Sequence, residues 1–176
     1  MNYLKIDKTS INNGPGVRTV LWVSGCTIRC EGCQNPESWD FNSGKLFDET
    51  AKQELFESLD KPYIQGLTIS GGHPLEQQNI RACFELCIDI KYKYPEKDIW
   101  LYTGFTLGYE DFIIQTGENR NGLLARMLRI CDVIVDGPYI EDQRNITLAF
   151  MGSENQRLID VKDTLKQGQI VQYKIN

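Results

Sequence analysis

Short apolar runs along this chain alternate with longer stretches in which apolar residues recur at helical spacing. Asp48 precedes one such stretch, with Ala51 and Leu55 on the same side, and is expected to cap its N-terminus. Two further helices are predicted from about Leu75 and over residues 123–130. Buried strands are predicted for four runs rich in β-branched and apolar residues, namely 17–25 (VRTVLWVSG), 66–72 (GLTISGG), 98–104 (DIWLYTG) and 132–137 (DVIVDG).

The alternation of strands and helices predicts an α/β fold with a mostly parallel sheet joined by right-handed crossovers. At 176 residues the chain is expected to form a single domain over residues 1–176. A tail segment at residues 169–175 (QIVQYKI) is a further candidate strand, whereas residues 142–168 show no clear period.

Each of the four predicted strands ends at a corner that contains glycine. The carboxyl ends of parallel strands lie at one edge of a sheet, where α/β proteins build their sites. We therefore expect four corners to meet in space: Gly25–Cys26, Gly71–Gly72, Thr103–Gly104 and Asp136–Gly137.

Composition and charge exclude several classes of function. The net charge of −5 and the pI near 5.0 argue against a protein that binds the phosphate backbone of nucleic acids. No apolar run approaches the roughly 20 residues that span a bilayer, and the start of the chain lacks the charged-then-apolar order of a signal peptide. A cytoplasmic location is therefore expected, in which cysteines stay reduced and a cluster of them indicates metal binding or catalysis.

Three of the six cysteines, Cys26, Cys30 and Cys33, follow the first predicted strand with the spacing Cys-x3-Cys-x2-Cys. A structural zinc site needs four ligands, and His73 is a candidate for the fourth. A [4Fe–4S] cluster held by the three thiolates would keep one iron open to a substrate or cofactor. The alternative iron–sulfur function, a non-enzymatic electron carrier, requires a fully ligated cluster.

The segment NGPGVRTVLWVSGCTIRCEGCQNPESW resembles the cluster-binding loop of radical S-adenosylmethionine (SAM) enzymes, in particular the activases that install glycyl radicals. The segments WLYTGF, DVIVDGPYIED and MGSENQRLIDV are similar to those of the activating proteins of anaerobic ribonucleoside-triphosphate reductases. This resemblance implies a partial, open (β/α) barrel of the radical SAM type that binds a [4Fe–4S] cluster through Cys26, Cys30 and Cys33.

The same resemblance implies reductive cleavage of SAM to a 5′-deoxyadenosyl radical, which generates a glycyl radical on the large subunit of the anaerobic (class III) reductase. A one-electron donor such as flavodoxin is a further implied partner, whereas no nucleic acid or membrane is expected to be one. Another glycyl-radical enzyme, such as pyruvate formate-lyase, is the alternative protein substrate. The resemblance implies no catalytic side chain, because cluster and SAM supply the chemistry.

The glycine pair Gly71–Gly72 resembles the family's second motif, which receives the methionine end of SAM, and His73 follows it. Relatives usually place Asp or Glu at this third position, where a carboxylate accepts a hydrogen bond from the amino group of SAM. A neutral imidazole also accepts one hydrogen bond but adds no negative charge. His73 is therefore either a weaker acceptor or a loop residue without a role.

Two further segments are candidates for contacts with SAM. Gly32, Cys33 and Gln34 correspond to a segment through which relatives touch the adenine, and Gly32 stands where many radical SAM enzymes have an aromatic residue, so a contact here would use the main chain. Asp136 either contacts the ribose or methionine part of SAM or caps the turn that follows it.

Five other residues complete the sequence-based picture. Asn155 and Arg157 either bind the SAM carboxylate or the glycine loop of the partner, or belong to a solvated tail. Cys83 and Cys87 on the second helix, like Cys131, are predicted to be core residues because free cysteine packs as a small hydrophobe.

Overall fold

The computed structural model describes residues 1–113 and 120–175. They form seven strands and four helices in the order β1 (Asn2–Ser10), β2 (Val17–Val23), β3 (Lys45–Leu46), α1 (Glu49–Leu59), β4 (Ile64–Gly71), α2 (Ile80–Lys93), β5 (Asp98–Tyr102), α3 (Arg120–Ile130), β6 (Val133–Asp136), β7 (Arg157–Asp160) and α4 (Val161–Gln167). None of the helices formed by these residues has the length and apolar character needed to span a membrane.

The seven strands form one sheet in the order β3-β1-β2-β4-β5-β6-β7. The four predicted strands, β2, β4, β5 and β6, are parallel neighbours at its centre. β1 is antiparallel to β2 and to β3, and β7 is antiparallel to β6, so only these two run against the others. The predicted α/β fold with an open, mostly parallel sheet is thus confirmed.

Helix α1 begins where the sequence predicts, because the Asp48 carboxylate accepts a hydrogen bond from the Ala51 amide at 3.0 Å. Helix α2, in contrast, begins at Ile80 and not near Leu75. The intervening residues form turns, in which the Glu76 amide donates to the His73 carbonyl and the Asn79 amide to the Glu76 carbonyl. The prediction missed these turns because Leu75 is buried like a helical core residue.

Several elements were not predicted from the pattern of apolar residues. β1 is long but largely exposed or half-buried, β3 has two residues, and β7 and α4 are short. The predicted tail strand is wrong, since among the described tail residues only Gln172 forms a β-bridge, opposite Ile159.

The main hydrophobic core joins the central strands to the buried faces of the helices and includes Cys83, Cys87 and Cys131, which confirms their prediction as core residues. A smaller cluster surrounds Trp100, with the rings of Phe150 and Tyr173 edge-on at 5.4 Å.

Candidate iron–sulfur site

The four strand ends meet as predicted, around a cavity of about 130 Å³ at the carboxyl edge of the parallel strands. Each of β2, β4, β5 and β6 contributes the segment that directly follows it. The lining residues are Cys26, Ile28, Cys30, Cys33, Ser70, Gly71, Gly72, His73, Tyr102, Thr103, Gly104, Gly137, Tyr139 and Gln156. The structure therefore brings together the three predicted metal ligands, the glycine pair and His73.

The cysteine loop, residues 25–39, is held by hydrogen bonds between its two ends. The amides of Gly25 and Cys26 donate to the carbonyls of Ser38 and Trp39, at 2.7 and 3.1 Å, so the start of the loop is bound to its end. The three thiols are half-buried and face one cavity. Burial raises the pKa of the Cys26 thiol, and the hydrogen bonds it accepts from the amides of Arg29 and Ile28 act in the opposite direction.

The three thiols provide the donors that an iron–sulfur cluster requires. Within residues 1–113 and 120–175, the His, Cys, Asp and Glu side chains form no group of three that could hold a single metal ion. A [4Fe–4S] cluster takes one thiolate per iron. The donor set, three soft sulfur atoms around one cavity, fits this group.

His73 is poorly placed to serve as a fourth zinc ligand. Its ring is only 1% exposed, with Nε2 at 2.7 Å from the Thr103 hydroxyl and Nδ1 at 3.3 Å from Glu76 Oε1. The edge of the ring also packs against Phe105, with 4.3 Å between the ring centroids. Since both ring nitrogens are engaged, the structural zinc alternative loses its fourth ligand.

The glycine pair is required by close backbone packing. Gly71 has φ +98°, and a Cβ on Gly72 would lie 2.7 Å from the carbonyl oxygen of Gly25. The Gly72 amide donates to Val23 and the His73 amide to Gly25, at 2.7 and 2.8 Å. The end of β4 is thereby hydrogen-bonded to the start of the cysteine loop. The backbone of Gly71 and Gly72, which carries no side chains, faces the cavity.

Glu76 is a buried residue of this site that the sequence analysis missed. Its Oε1 accepts hydrogen bonds from the Thr27 amide at 2.9 Å and from the Thr27 hydroxyl at 2.6 Å, next to Cys26. Burial by itself would raise the pKa of Glu76, but the hydrogen bonds from Thr27 and His73 outweigh it, so the pKa is lowered and the group is a carboxylate. The sequence offered only one signal, an acidic residue three positions after His73, and the predicted helix start obscured it.

Gly32 adopts φ +70° and is not among the residues that line the cavity. A Cβ at this position would meet the Glu141 carboxylate and lie 3.2 Å from Cε1 of the cavity-lining Tyr139. The Tyr139 hydroxyl donates to Glu141 at 2.6 Å. An aromatic ring thus reaches this part of the cavity from the segment after β6, which the sequence analysis also missed. Gln34 is exposed and lines two adjoining clefts, so it lies beside the thiol cavity and not in it.

The structure does not place Asp136 among the cavity-lining residues. The buried Asp136 carboxylate pairs with Arg157, at 3.0 Å from its Nε, and accepts from the Leu107 amide at 2.8 Å. These contacts do not cap the turn that follows Asp136, and its predicted contact with SAM stays a prediction.

Asn155 and Arg157 make structural contacts, whereas their predicted binding of the SAM carboxylate or the partner's glycine loop stays a prediction. Arg157 lies on strand β7, and its guanidinium donates to the Leu107 carbonyl as well as to Asp136. The Asn155 side-chain amide donates to the Pro138 carbonyl at 2.7 Å. Both residues therefore stabilise the segments around the site, and neither belongs to a solvated tail.

Comparison with known protein families agrees with the donor set. Residues 12–159 match a family described as a 4Fe-4S single cluster domain. The chain is therefore an iron–sulfur protein of the single-cluster class.

Curated relatives narrow the class further. The chain is 42% identical over 158 residues to the anaerobic ribonucleoside-triphosphate reductase-activating protein of Enterobacteria phage T4, covering 90% of this chain and 93% of the relative. The proteins of the same name from Haemophilus influenzae and Escherichia coli K12 are 40% and 35% identical, each over 89% of this chain and 96% of the relative. The chain belongs to the family of anaerobic ribonucleoside-triphosphate reductase-activating proteins.

Proposed function

We propose that this protein activates an anaerobic ribonucleoside-triphosphate reductase by generating a glycyl radical on its large subunit, with SAM as the source of the radical. The observation that carries the proposal is the meeting of three thiols and a bare glycine backbone around one cavity. The names of the relatives supply the reductase as the protein substrate. In this proposal the open sheet is the partial (β/α) barrel of a radical SAM enzyme.

Cys26, Cys30 and Cys33 would each bind one iron of a [4Fe–4S] cluster, and no protein ligand is proposed for the fourth iron. Bound there, the cluster would supply the electron for the cleavage of SAM to methionine and a 5′-deoxyadenosyl radical, which would remove a hydrogen atom from a glycine Cα of the reductase. A one-electron donor such as flavodoxin would reduce the protein.

The residues of the chain itself bind, orient and shield. The backbone of Gly71 and Gly72 lets the methionine end of SAM approach the cavity wall without steric obstruction. The main chain of Gly32, Cys33 and Gln34 would contact the adenine. The half-buried position of the thiols limits the access of water and oxygen to the cluster.

The test is anaerobic reconstitution with iron and sulfide, followed by incubation with SAM, reductant and the reductase. We expect a glycyl-radical doublet in the EPR spectrum and release of 5′-deoxyadenosine. Cys30→Ser should abolish both. Cys131→Ser is the matched control, because this buried thiol donates to the Met127 carbonyl at 3.3 Å and a hydroxyl can do the same.

The alternatives give different results in the same experiment. If a pyruvate formate-lyase were the true partner, the doublet would form on that enzyme and not on the reductase. An electron carrier with a fully ligated cluster would show no change in its EPR spectrum when SAM is added.

A further inference from the structure

The cavity wall carries no carboxylate among the described residues. Among the residues that the structure describes as lining it, none is Asp or Glu, and the position after the glycine pair is His73. SAM carries an amino group that a carboxylate would attract. A carboxylate for this amino group therefore has to lie outside the cavity wall.

Glu76 lies directly behind His73 and is 7% exposed. Its Oε1 is bound to Nδ1 of His73 on one side and to Thr27 of the cysteine loop on the other. Coulomb attraction falls only with the inverse of distance and is weakly screened in a buried site, so a carboxylate one imidazole ring away still acts on an amine in the cavity.

The hydrogen bonds also bear on the protonation of His73. A carboxylate can only accept, so Nδ1 carries the proton that points to Glu76. The Thr103 hydroxyl accepts from the Phe105 amide at 3.1 Å and lies 2.7 Å from Nε2, to which it can donate its own proton. With Nε2 as the acceptor, His73 is a neutral ring held on both sides, and the pair with Glu76 keeps one negative charge.

We propose that Glu76 is a positioning residue that supplies, through His73, the negative charge at the amino end of SAM that relatives obtain from a carboxylate after the glycine pair. This inference depends on the proposed function, because it assigns Glu76 a role in binding SAM. Glu76 also anchors the cysteine loop, and the test has to separate the two roles.

The test is a double-mutant cycle on the anaerobically reconstituted protein. The Kd of SAM is measured from the change it causes in the EPR spectrum of the reduced cluster, together with iron and sulfide per chain. Glu76→Gln keeps an acceptor for Thr27 but removes the charge, and we expect about tenfold weaker binding. His73→Asp restores a carboxylate at the wall, so it should bind SAM at least as tightly as the wild type. In the His73→Asp background, Glu76→Gln should then cost less than about twofold.

Glu85→Gln is the matched control, because it removes one charge from an exposed position on α2. It should leave the Kd of SAM within about twofold of the wild type. Three results would overturn the role of Glu76: a Kd for Glu76→Gln within about twofold of the wild type, an equal loss in both backgrounds, or a marked loss of affinity in His73→Asp. A wild-type spectrum that SAM does not alter would instead refute the proposed function.

A second measurement covers the case in which Glu76→Gln fails to hold the cluster. The chain has one histidine, so ¹⁵N-histidine labelling reports on His73 alone. We expect the ¹⁵N shifts of a neutral ring protonated at Nδ1. A ring protonated at both nitrogens would cancel the charge of Glu76 and would overturn the inference.

Discussion

The contacts of single residues decide which buried polar groups are structural and which are available for chemistry. Asp136 and Arg18 illustrate the structural kind. Arg18 is fully buried, donates to Thr68 at 2.8 Å and to the Leu67 carbonyl at 2.9 Å, and packs on the Trp100 ring. Neither partner could be inferred from the sequence, because Thr68 and Leu67 lie about 50 residues away on another strand.

Asp136→Asn is predicted to destabilise the protein and leave SAM binding intact. The change removes the ionic partner of Arg157 and should lower the free energy of unfolding by about 2 kcal/mol, the usual contribution of hydrogen bonds to a charged group. Urea unfolding measures this loss. Asp89→Asn, which breaks a solvent-accessible pair with Lys52, is the control and should cost less than about 1 kcal/mol. A stable Asp136→Asn protein with weakened SAM binding would instead restore the predicted cofactor contact.

The six cysteines are predicted to divide into two groups of different reactivity. Burial, with a smaller contribution from Cys131, raises the pKa of Cys83 to about 12, so its thiolate is scarce in the folded protein. In the cluster-free protein, iodoacetamide should modify Cys26, Cys30 and Cys33 and spare the core cysteines until urea is added, as read by mass spectrometry. Modification of Cys83 at neutral pH without unfolding would contradict this assignment.

The same thiol gives a pH dependence of stability. Because the pKa of Cys83 in the folded protein lies above the ordinary value of 9.0, the contribution of Cys83 to stability should be lost as the pH rises from 9 towards 12.

At the scale of elements, sequence patterns located the strands that build the site and missed those that border it. The central strands are buried on both faces, so their apolar runs are continuous and easily recognised. β1 exposes much of its length and β7 has four residues, so tertiary pairing and not local pattern defines them. The turns before α2 could not be predicted either, because they depend on contacts of Asn79 with Ser24 and His73.

Gly72→Ala is predicted to disturb the junction between β2 and β4. The new Cβ would meet the backbone oxygen of Gly25 at 2.7 Å, and backbone cannot move aside as a side chain can. We expect a loss of about 2 kcal/mol in the free energy of unfolding, as for an overpacked core. Gly104→Ala is the matched control, since its Cβ would meet only the terminal methyl of Ile28, which can rotate away. Equal stability of the two variants would show that the close approach at Gly72 is not limiting.

At the scale of the whole molecule, the site lies at one edge of a sheet whose core is complete without it. The hydrophobic clusters consist mainly of strand and helix residues and do not include Cys26, Cys30 or Cys33. The cysteine loop is likewise held by protein contacts, through Ser38, Trp39 and the bonds between Thr27 and Glu76. This arrangement differs from small zinc domains, in which metal binding supplies most of the folding free energy.

Removal of the cluster is therefore predicted to leave the protein folded. After treatment with an iron chelator, the far-UV circular dichroism spectrum should retain its α/β character, and urea unfolding should remain cooperative. The reconstituted protein should be more stable, because a group that binds only the folded state shifts the equilibrium towards it. The same comparison in Cys30→Ser, which lacks one ligand, should show little difference between treated and untreated protein. Loss of secondary structure on chelation would mean that the cluster, and not the hydrogen bonds between the two ends of the cysteine loop, holds the carboxyl edge of the sheet together.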